Sequence, residues 1–555
     1  MPNSSASPMK RLYNLLKLDK KDILQTIYYA IFAGLLNLSV PLGIQAIVNL
    51  IQGGRVSTSW TILVVLVTLA VGFVGVLDLM QVRIVENLQQ KIFTRGSFEL
   101  TYRFPKIKME ELVGTYPPEL ANRFFDIITI QKGVAKLLLD FPAAVLQIFF
   151  GLILLSLYHP FFILYGLLLV FLLWLVFKFT ASRGLETSLD ESKQKYKVAH
   201  WLQEVARAII SFKISGRTSL AMTKNDSLTS KYLTAREGHF GVLKIQYIKL
   251  IAFKVLVTGG LLAIGGMLVL NQEMNIGQFV AAEIIILLIM GSVEKLIKGI
   301  DTIYDLLTSL EKVGQVVDRE LERTEGEHAL SPDQPLEVEL EEVGYTPKDR
   351  EKPILKNISF QISPGKKLLL KGSNGSGRST LLKVVAGIQE PTRGSIYVNG
   401  ISLKSLKLNE YRDRLGIFLP EEFPFEGTLL ENITFGNKAI PEKDVQWAIK
   451  AMGLSRFVKE QPNGLKTMIY PEGKYVSSLI GKRIVLARAI VKKPDLLILK
   501  EPLENFEQEE AERIFKFFTD ESHKWSLLVA SRNKIWETAC DQTVVLENGK
   551  IENII

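Results

Sequence analysis

Up to about residue 300 the apolar residues come in long unbroken runs; beyond Glu311 they shrink to short groups between charged stretches. Six runs, approximately 23–50, 58–82, 134–158, 160–178, 247–270 and 276–297, each approach the roughly 20 residues that cross a bilayer core. The pattern then changes period. Leu336-Glu337-Val338-Glu339-Leu340 alternates as a half-buried strand does, while Lys367-Leu368-Leu369-Leu370 and Leu496-Leu497-Ile498-Leu499 read as buried strands. Ser379–Ala386 has helical spacing, and Gly394-Ser395-Ile396-Tyr397-Val398-Asn399-Gly400 is hairpin-like. The expected organisation is a lead-in (1–21), a six-span α-helical membrane domain (22–320), a linker (321–335) containing Ser331-Pro332-Asp333-Gln334-Pro335, and an α/β domain with a parallel core sheet (336–555).

A chain of 555 residues is too long for one core. A mean hydropathy of +0.18 together with 23% charged residues fits a membrane half joined to a soluble half. The single cysteine, Cys540, excludes an internal disulfide framework and a cysteine-based zinc site, and reads as a spare buried thiol. The net charge of +9 does not point to nucleic acid, because the basic residues lie beside apolar spans and so belong to membrane topology and contact with lipid. Among the short connections Gly53–Ser57, His159 and Asn271–Asn275 the one Lys or Arg is Arg55. The long connections after the second and fourth spans carry Arg83, Lys91, Arg95, Arg103, Lys106 and Lys108, then Lys193, Lys195, Lys197 and Arg207. Both termini and both long loops are therefore expected in the cytoplasm, and helical periodicity carries the spans well past the bilayer. The basic amphipathic start, Met9-Lys10-Arg11-Leu12 to Lys20-Lys21-Asp22, has no cleavage pattern of a secretory signal. Of three carboxylates in the spans, Asp78 and Glu294 lie near span ends, where snorkelling explains them; Glu283, between Ala281-Ala282 and Ile284-Ile285-Ile286, is the candidate for an ion or substrate path.

Gly372-Ser373-Asn374-Gly375-Ser376-Gly377-Arg378-Ser379-Thr380 is a phosphate-binding loop in which arginine stands at the lysine position. Its glycines let backbone N–H groups curl into an anion nest at a helix N-terminus. Arg378 keeps the charge but replaces a compact ammonium with a wide planar fork.

Six spans, two long cytoplasmic loops and this loop resemble a half-transporter of the ABC exporters, the type IV fold, over nearly the whole chain. Further landmarks stand in family order: Gly427-Thr428-Leu429-Leu430-Glu431-Asn432-Ile433 after the Q-loop, Arg483–Ala489 behind the signature, and Leu496–Pro502 at the Walker B strand. Asn275-Ile276-Gly277-Gln278-Phe279 resembles the start of the sixth span in type I protein-secretion exporters. The resemblance implies ATP and Mg²⁺, a dimer of two copies or with a related partner, coupling helices at Met109–Pro117 and Gln203–Phe212, and the cell inner membrane. The secretion variant adds a periplasmic adaptor, an outer-membrane channel and a polypeptide cargo.

The departures from that pattern carry the functional argument. The Walker B aspartate position holds Lys500, which repels Mg²⁺ and leaves the Ser379 hydroxyl as the metal candidate; the catalytic carboxylate position keeps Glu501. Ser531 stands at the switch histidine, Glu504 in the D-loop, and no Gln lies between Asn409 and Gln446. The signature is Val476-Ser477-Ser478-Leu479-Ile480, in which Ser477 survives while Leu479 and Ile480 fill the place of two residues that include glycine. The adenine-stacking aromatic is Tyr345, or falls to Pro347 in the stricter register. These losses imply ATP bound weakly or not at all and a pseudo-ATPase transport subunit. Two alternatives stay open: an active ATP-driven exporter with divergent geometry, and a non-transporting membrane scaffold.

Overall fold

The computed structural model describes residues 7–52, 58–178, 181–323 and 326–555. The short connection Gly53–Ser57, with Arg55, lies outside the described residues. The chain divides into two compact units, residues 1–105 with 116–319 and residues 106–115 with 320–555.

The first unit is helical: α1 (Pro8–Lys17), α2 (Lys20–Asn37), α3 (Ser39–Gln52), α4 (Thr58–Arg103), α5 (Pro117–Ala121), α6 (Phe124–Ser156), α7 (Phe161–Lys178), α8 (Ala181–Arg207), α9 (Ile209–Ile214), α10 (Leu220–Leu270) and α11 (Ile276–Val317). Five stretches, including α2 with α3, are long and apolar enough to cross a membrane, and Phe161–Trp174 is a shorter apolar helix. The first span breaks at Leu38 because Pro41 lacks an N–H and is tolerated only in the opening turn of α3. Helices of 46, 51 and 42 residues in α4, α10 and α11 far exceed the ~30 Å bilayer core at ~1.5 Å per residue.

Small residues let these helices close on each other. A Cβ on Gly133 would stand 2.9 Å from the Leu306 side chain, and one on Gly151 3.0 Å from Ile289, which brings α6 onto the buried α11 face of Ala282, Ile285, Ile289 and Val293. Ser7 caps α1, and Arg11 clamps Asp318 with both guanidinium nitrogens, one at 2.8 Å. Lys91 reaches Asp22 at 2.6 Å and Arg95 holds Asp19, so the lead-in is tied to α4 by charge as well as packing. Glu294 is bonded to Lys254 and Lys298, so an ion-pair cluster accounts for it; Asp78 is exposed and Glu283 half-buried.

The second unit contains β1 (Val338–Tyr345), β2 (Leu355–Ile362), β3 (Lys367–Gly372), α12 (Arg378–Val385), β4 (Arg393–Val398), β5 (Ile401–Ser402), α13 (Leu408–Asp413), β6 (Leu415–Phe418), β7 (Gly427–Thr428), α14 (Leu429–Thr434), α15 (Glu442–Ala451), α16 (Ser455–Glu460), β8 (Met468–Ile469), α17 (Ser478–Ile490), β9 (Leu496–Lys500), α18 (Gln508–Thr519), β10 (Ser526–Ala530), β11 (Gln542–Glu547) and β12 (Lys550–Ile554). The main sheet runs β12-β11-β3-β10-β9-β6, parallel except at the β12 edge; a second, antiparallel sheet runs β2-β1-β4-β5. Strand alternation builds one core on each face of the main sheet. Leu368, Leu370, Leu496, Ile498, Leu528 and Ala530 enter one cluster, and Leu369, Leu497, Leu499, Leu527 and Val529 the other, around Trp536. Cys540 packs beside the second cluster, and burial pushes its thiol up to about 12. The segment 106–115 joins this unit through the Ile107–Leu321 bridge, the Lys348–Glu111 pair at 2.6 Å and the Glu390 N–H donating to Glu110 at 3.2 Å. The other coupling candidate, Gln203–Phe212, spans the end of α8 and the start of α9 in the first unit, where Ile209 and Ile210 are exposed.

Asn399 and Gly400 both take positive φ in the turn that joins β4 to β5, the geometry a two-residue hairpin demands. Gly394 is more constrained, since at φ +71° its Cβ would lie 2.3 Å from the Glu341 carbonyl oxygen and 2.4 Å from that of Glu342, where β1 is irregular. Gly394→Ala should destabilise the chain by about 3 kcal/mol, the sum of left-handed strain and a clash with immovable backbone. Gly400→Ala, with nothing within 4 Å, should cost only about 1 kcal/mol. Thermal unfolding of the two variants side by side in detergent checks the ranking, and equal losses contradict it.

Candidate functional site

The parallel sheet delivers the ends of β3, β9 and β10 to one edge. There a cleft of about 1180 Å³ is lined by the 373–380 loop and by Arg350, Lys352, Lys500, Glu501, Glu504, Ser531 and Arg532, among others. The loop needs its glycines. A Cβ on Gly372 would sit 2.2 Å from the Leu546 carbonyl oxygen, and Gly377 caps α12 at φ +103°. The Gly549 N–H donates to the Ser376 carbonyl at 3.1 Å, and the Ser373 hydroxyl donates to the Glu547 carboxylate at 3.0 Å. Ser376 is 2% exposed, its Oγ has no hydrogen-bond partner, and it lines the cleft.

Glu501 is the hub. Its Oε2 accepts from the Ser531 hydroxyl at 2.8 Å, its Oε1 from the Arg532 N–H at 3.2 Å, and Arg378 Nη1 lies 3.6 Å from Oε1. Its backbone stands at φ +45°, a strained position for a non-glycine residue, held by its N–H donating to Ala530 at 2.9 Å. Arg378 is 8% exposed, and burial lowers its pKa against the pull of Glu501. The next residue back, Lys500, lines the same cleft and has no ion pair among the described residues.

Of the residues singled out from sequence, Ser373 to Thr380, Lys500, Glu501 and Ser531 all line the cleft, and Gly372 precedes that lining at the end of β3. Two do not reach it. Tyr345 is 2% exposed in the core of the antiparallel sheet, because its place in β1 turns it inward, so it does not serve as the stacking aromatic there. Ser477 accepts from the Ile480 N–H at 3.2 Å as the N-cap of α17, outside this chain's own cleft. No aromatic side chain lines the cleft among the described residues. Arg350, Lys352, Lys356 and Arg532 were not singled out, and of these only Arg532 carried a signal, its place beside Ser531.

Mg²⁺ would need several oxygen ligands in near-octahedral order. The cleft supplies the Ser379 and Thr380 hydroxyls, the Glu351 and Glu504 carboxylates, a Glu501 carboxylate that accepts from two donors and lies 3.6 Å from Arg378, and an ammonium at Lys500. No cluster of three or more His, Cys, Asp or Glu able to hold a metal occurs among the described residues. An ammonium at the position of the acidic ligand disfavours the ion there.

Residues 355–504 match the family model described as ABC transporter. An uncharacterized ABC transporter ATP-binding protein of Sinorhizobium fredii is 26% identical over 53% of this chain and 50% of its own length. An ATP-dependent lipid A-core flippase of Saccharophagus degradans is 30% identical over 44% of this chain and 42% of its own. An uncharacterized ABC transporter ATP-binding protein of Bacillus subtilis, YknV, is 24% identical over 79% and 74%. The chain spans about half the length of the curated relatives it matches first. A bacterial Atm1-family ABC exporter solved with ATP bound superposes with a TM-score of 0.84, covering 96% of this chain and 95% of that one at 17% identity. The fold is therefore that of the ABC exporters, an apolar helical domain followed by an α/β nucleotide-binding domain.

Lys482 on α17 was not singled out from sequence either. Its ammonium donates to the Glu501 carbonyl at 3.1 Å and the Glu504 carbonyl at 2.6 Å, between the rings of Phe418 and Phe506. Burial brings its pKa down from 10.5 to about 8, opposed by Glu504 and Glu501. Between those two values the unfolded chain binds the extra proton, so the contribution of Lys482 to stability rises from about pH 8 towards 10.5. The melting temperature of the wild type relative to Lys482→Gln should accordingly drift upward across that window. A difference that stays constant with pH contradicts the assignment.

Proposed function

We propose that this chain is a membrane transport subunit of the ABC exporter kind whose nucleotide domain does not turn over ATP. The observation that carries the reading is the engagement of Glu501. A general base must be free to meet a water in line with the phosphate, and this carboxylate is occupied by the Ser531 hydroxyl, the Arg532 N–H and Arg378. Two further features support it: the Lys500 ammonium beside that carboxylate, and Leu479 and Ile480 behind the Ser477 cap, where a bulky apolar turn replaces an open anion nest.

The purified chain should release no phosphate from ATP above a detergent blank, and Glu501→Gln should change nothing. Lys500→Asp alone should not restore turnover, because metal site, base and opposing signature act on one transition state and their effects are not additive. The retention of Glu501 and Ser379 in one cleft favours the active-exporter alternative. Phosphate release that Glu501→Gln abolishes would establish that alternative.

The residues that resemble secretion exporters have a sufficient local explanation. Asn275 and Gln278 form a reciprocal capping box at 2.8 and 2.9 Å, and a Cβ on Gly277 would stand 2.2 Å from Asn49 Oδ1. We therefore propose a transport subunit without extending the proposal to an adaptor and outer-membrane channel.

A dimer is part of the same reading. With Glu501 engaged inside its own chain and Lys500 at the acidic position of the cleft, contact between copies falls to the apolar helices, so the dimer should persist without nucleotide. Native mass spectrometry in mild detergent should show it equally with and without ATP; monomers that pair only when ATP is added contradict the reading.

A further inference from the structure

We infer that the cleft is a metal-independent site for a triphosphate chain, in which fixed side-chain cations take the role that a divalent ion would have. The inference rests on the proposed reading of the cleft as a nucleotide site, and names the charge state in which it takes its ligand.

Three observations converge. The first is a built anion seat: the 372–377 loop, shaped by Gly372, Gly375 and Gly377 at positive φ, turns its backbone into the N-terminus of α12 at the cleft, and Ser376 within it is 2% exposed with an Oγ that has no partner. The second is charge. Arg350, Lys352, Lys356, Arg378, Lys500 and Arg532 line the cleft against the carboxylates Glu351, Glu501 and Glu504. Glu501 is already bonded to Ser531 and Arg532 and lies beside Arg378, so the Lys500 ammonium at the end of β9 makes no ion pair with it among the described residues; the charge of Lys500 acts on Glu421, a carboxylate that Lys383 already holds at 3.0 Å.

The third is the poor fit of a divalent ion. A cation that entered beside Ser379 would stand next to Lys500, while a bare triphosphate meets the loop and the six side-chain cations, which outnumber the three carboxylates of the cleft. Because no aromatic side chain lines the cleft among the described residues, the phosphates rather than the base should supply the affinity.

Isothermal titration of the full chain in detergent tests this, with ATP, inorganic tripolyphosphate and adenosine as titrants, each in EDTA and again in excess Mg²⁺. ATP and tripolyphosphate should bind in EDTA with affinities within about threefold of each other, and Mg²⁺ should leave them unchanged or weaker, whereas adenosine should give no heat. Lys500→Asp should weaken the metal-free binding by about tenfold or more and make what remains depend on Mg²⁺. Melting temperatures with tripolyphosphate in EDTA give a second readout, a rise in the wild type that Lys500→Asp loses.

Binding that tightens markedly with Mg²⁺ overturns the metal-independent site while leaving nucleotide recognition intact. Binding of ATP but not tripolyphosphate overturns the assignment to the phosphate chain. Silence from every titrant in both conditions overturns the nucleotide reading itself, and the inference with it.

Discussion

The Glu501 carboxylate, surrounded by the Ser531 hydroxyl, the Arg532 N–H and the Arg378 guanidinium, ties together three chain segments that the parallel sheet brings to one edge. β9 ends at Lys500, β10 at Ala530, and α12 begins at Arg378, so each partner sits where a strand or helix terminates. A charged group in that position needs several donors, and it obtains them from side chains and backbone of its own chain. The consequence reaches beyond the hydrogen bonds. The strained φ of +45° at Glu501 is held where β9 meets β10, its N–H donating to the Ala530 carbonyl at 2.9 Å.

Lys482 extends this constraint into the helical part of the domain. By donating to the carbonyls of Glu501 and Glu504, it fixes the backbone on which the carboxylate rides to the helix that begins at the Ser477 cap. In the membrane unit the governing terms are different. Gly133 against Leu306 and Gly151 against Ile289 set how closely α6 approaches α11, and the lysines 254 and 298 neutralise Glu294.

Much of the fold was legible because the periods are strong and local. Six apolar runs correspond to the first-unit helices that carry them, with the first run split at Leu38 because Pro41 admits no upstream continuation. The strands at Lys367–Leu370 and Leu496–Leu499 appear as β3 and β9, since an unbroken apolar run fits a strand covered on both faces. Tyr345 was harder to judge. It is the nearest aromatic to the stacking position, which the stricter register gives to Pro347, but facing in a strand depends on register, and a bulge in β1 helps to place the ring in the core. Asn275–Phe279 shows the converse, a motif whose residues are explained by capping and close packing within the chain.

Taken alone, the sequence determined the membrane and α/β halves, the phosphate loop with its arginine, and the replacement of an acid by Lys500, because each depends on residues adjacent in the chain. Only the tertiary structure decided which groups spend their hydrogen bonds on one another. Arg378, Glu501 and Ser531 lie far apart in sequence, and the ion pair and hydrogen bond that join them form only once β3, β9 and β10 pair in register. Lys482 likewise reads as one more basic residue until the fold places it under two carbonyls, since hydrogen bonds and Coulomb forces act through space and not along the chain.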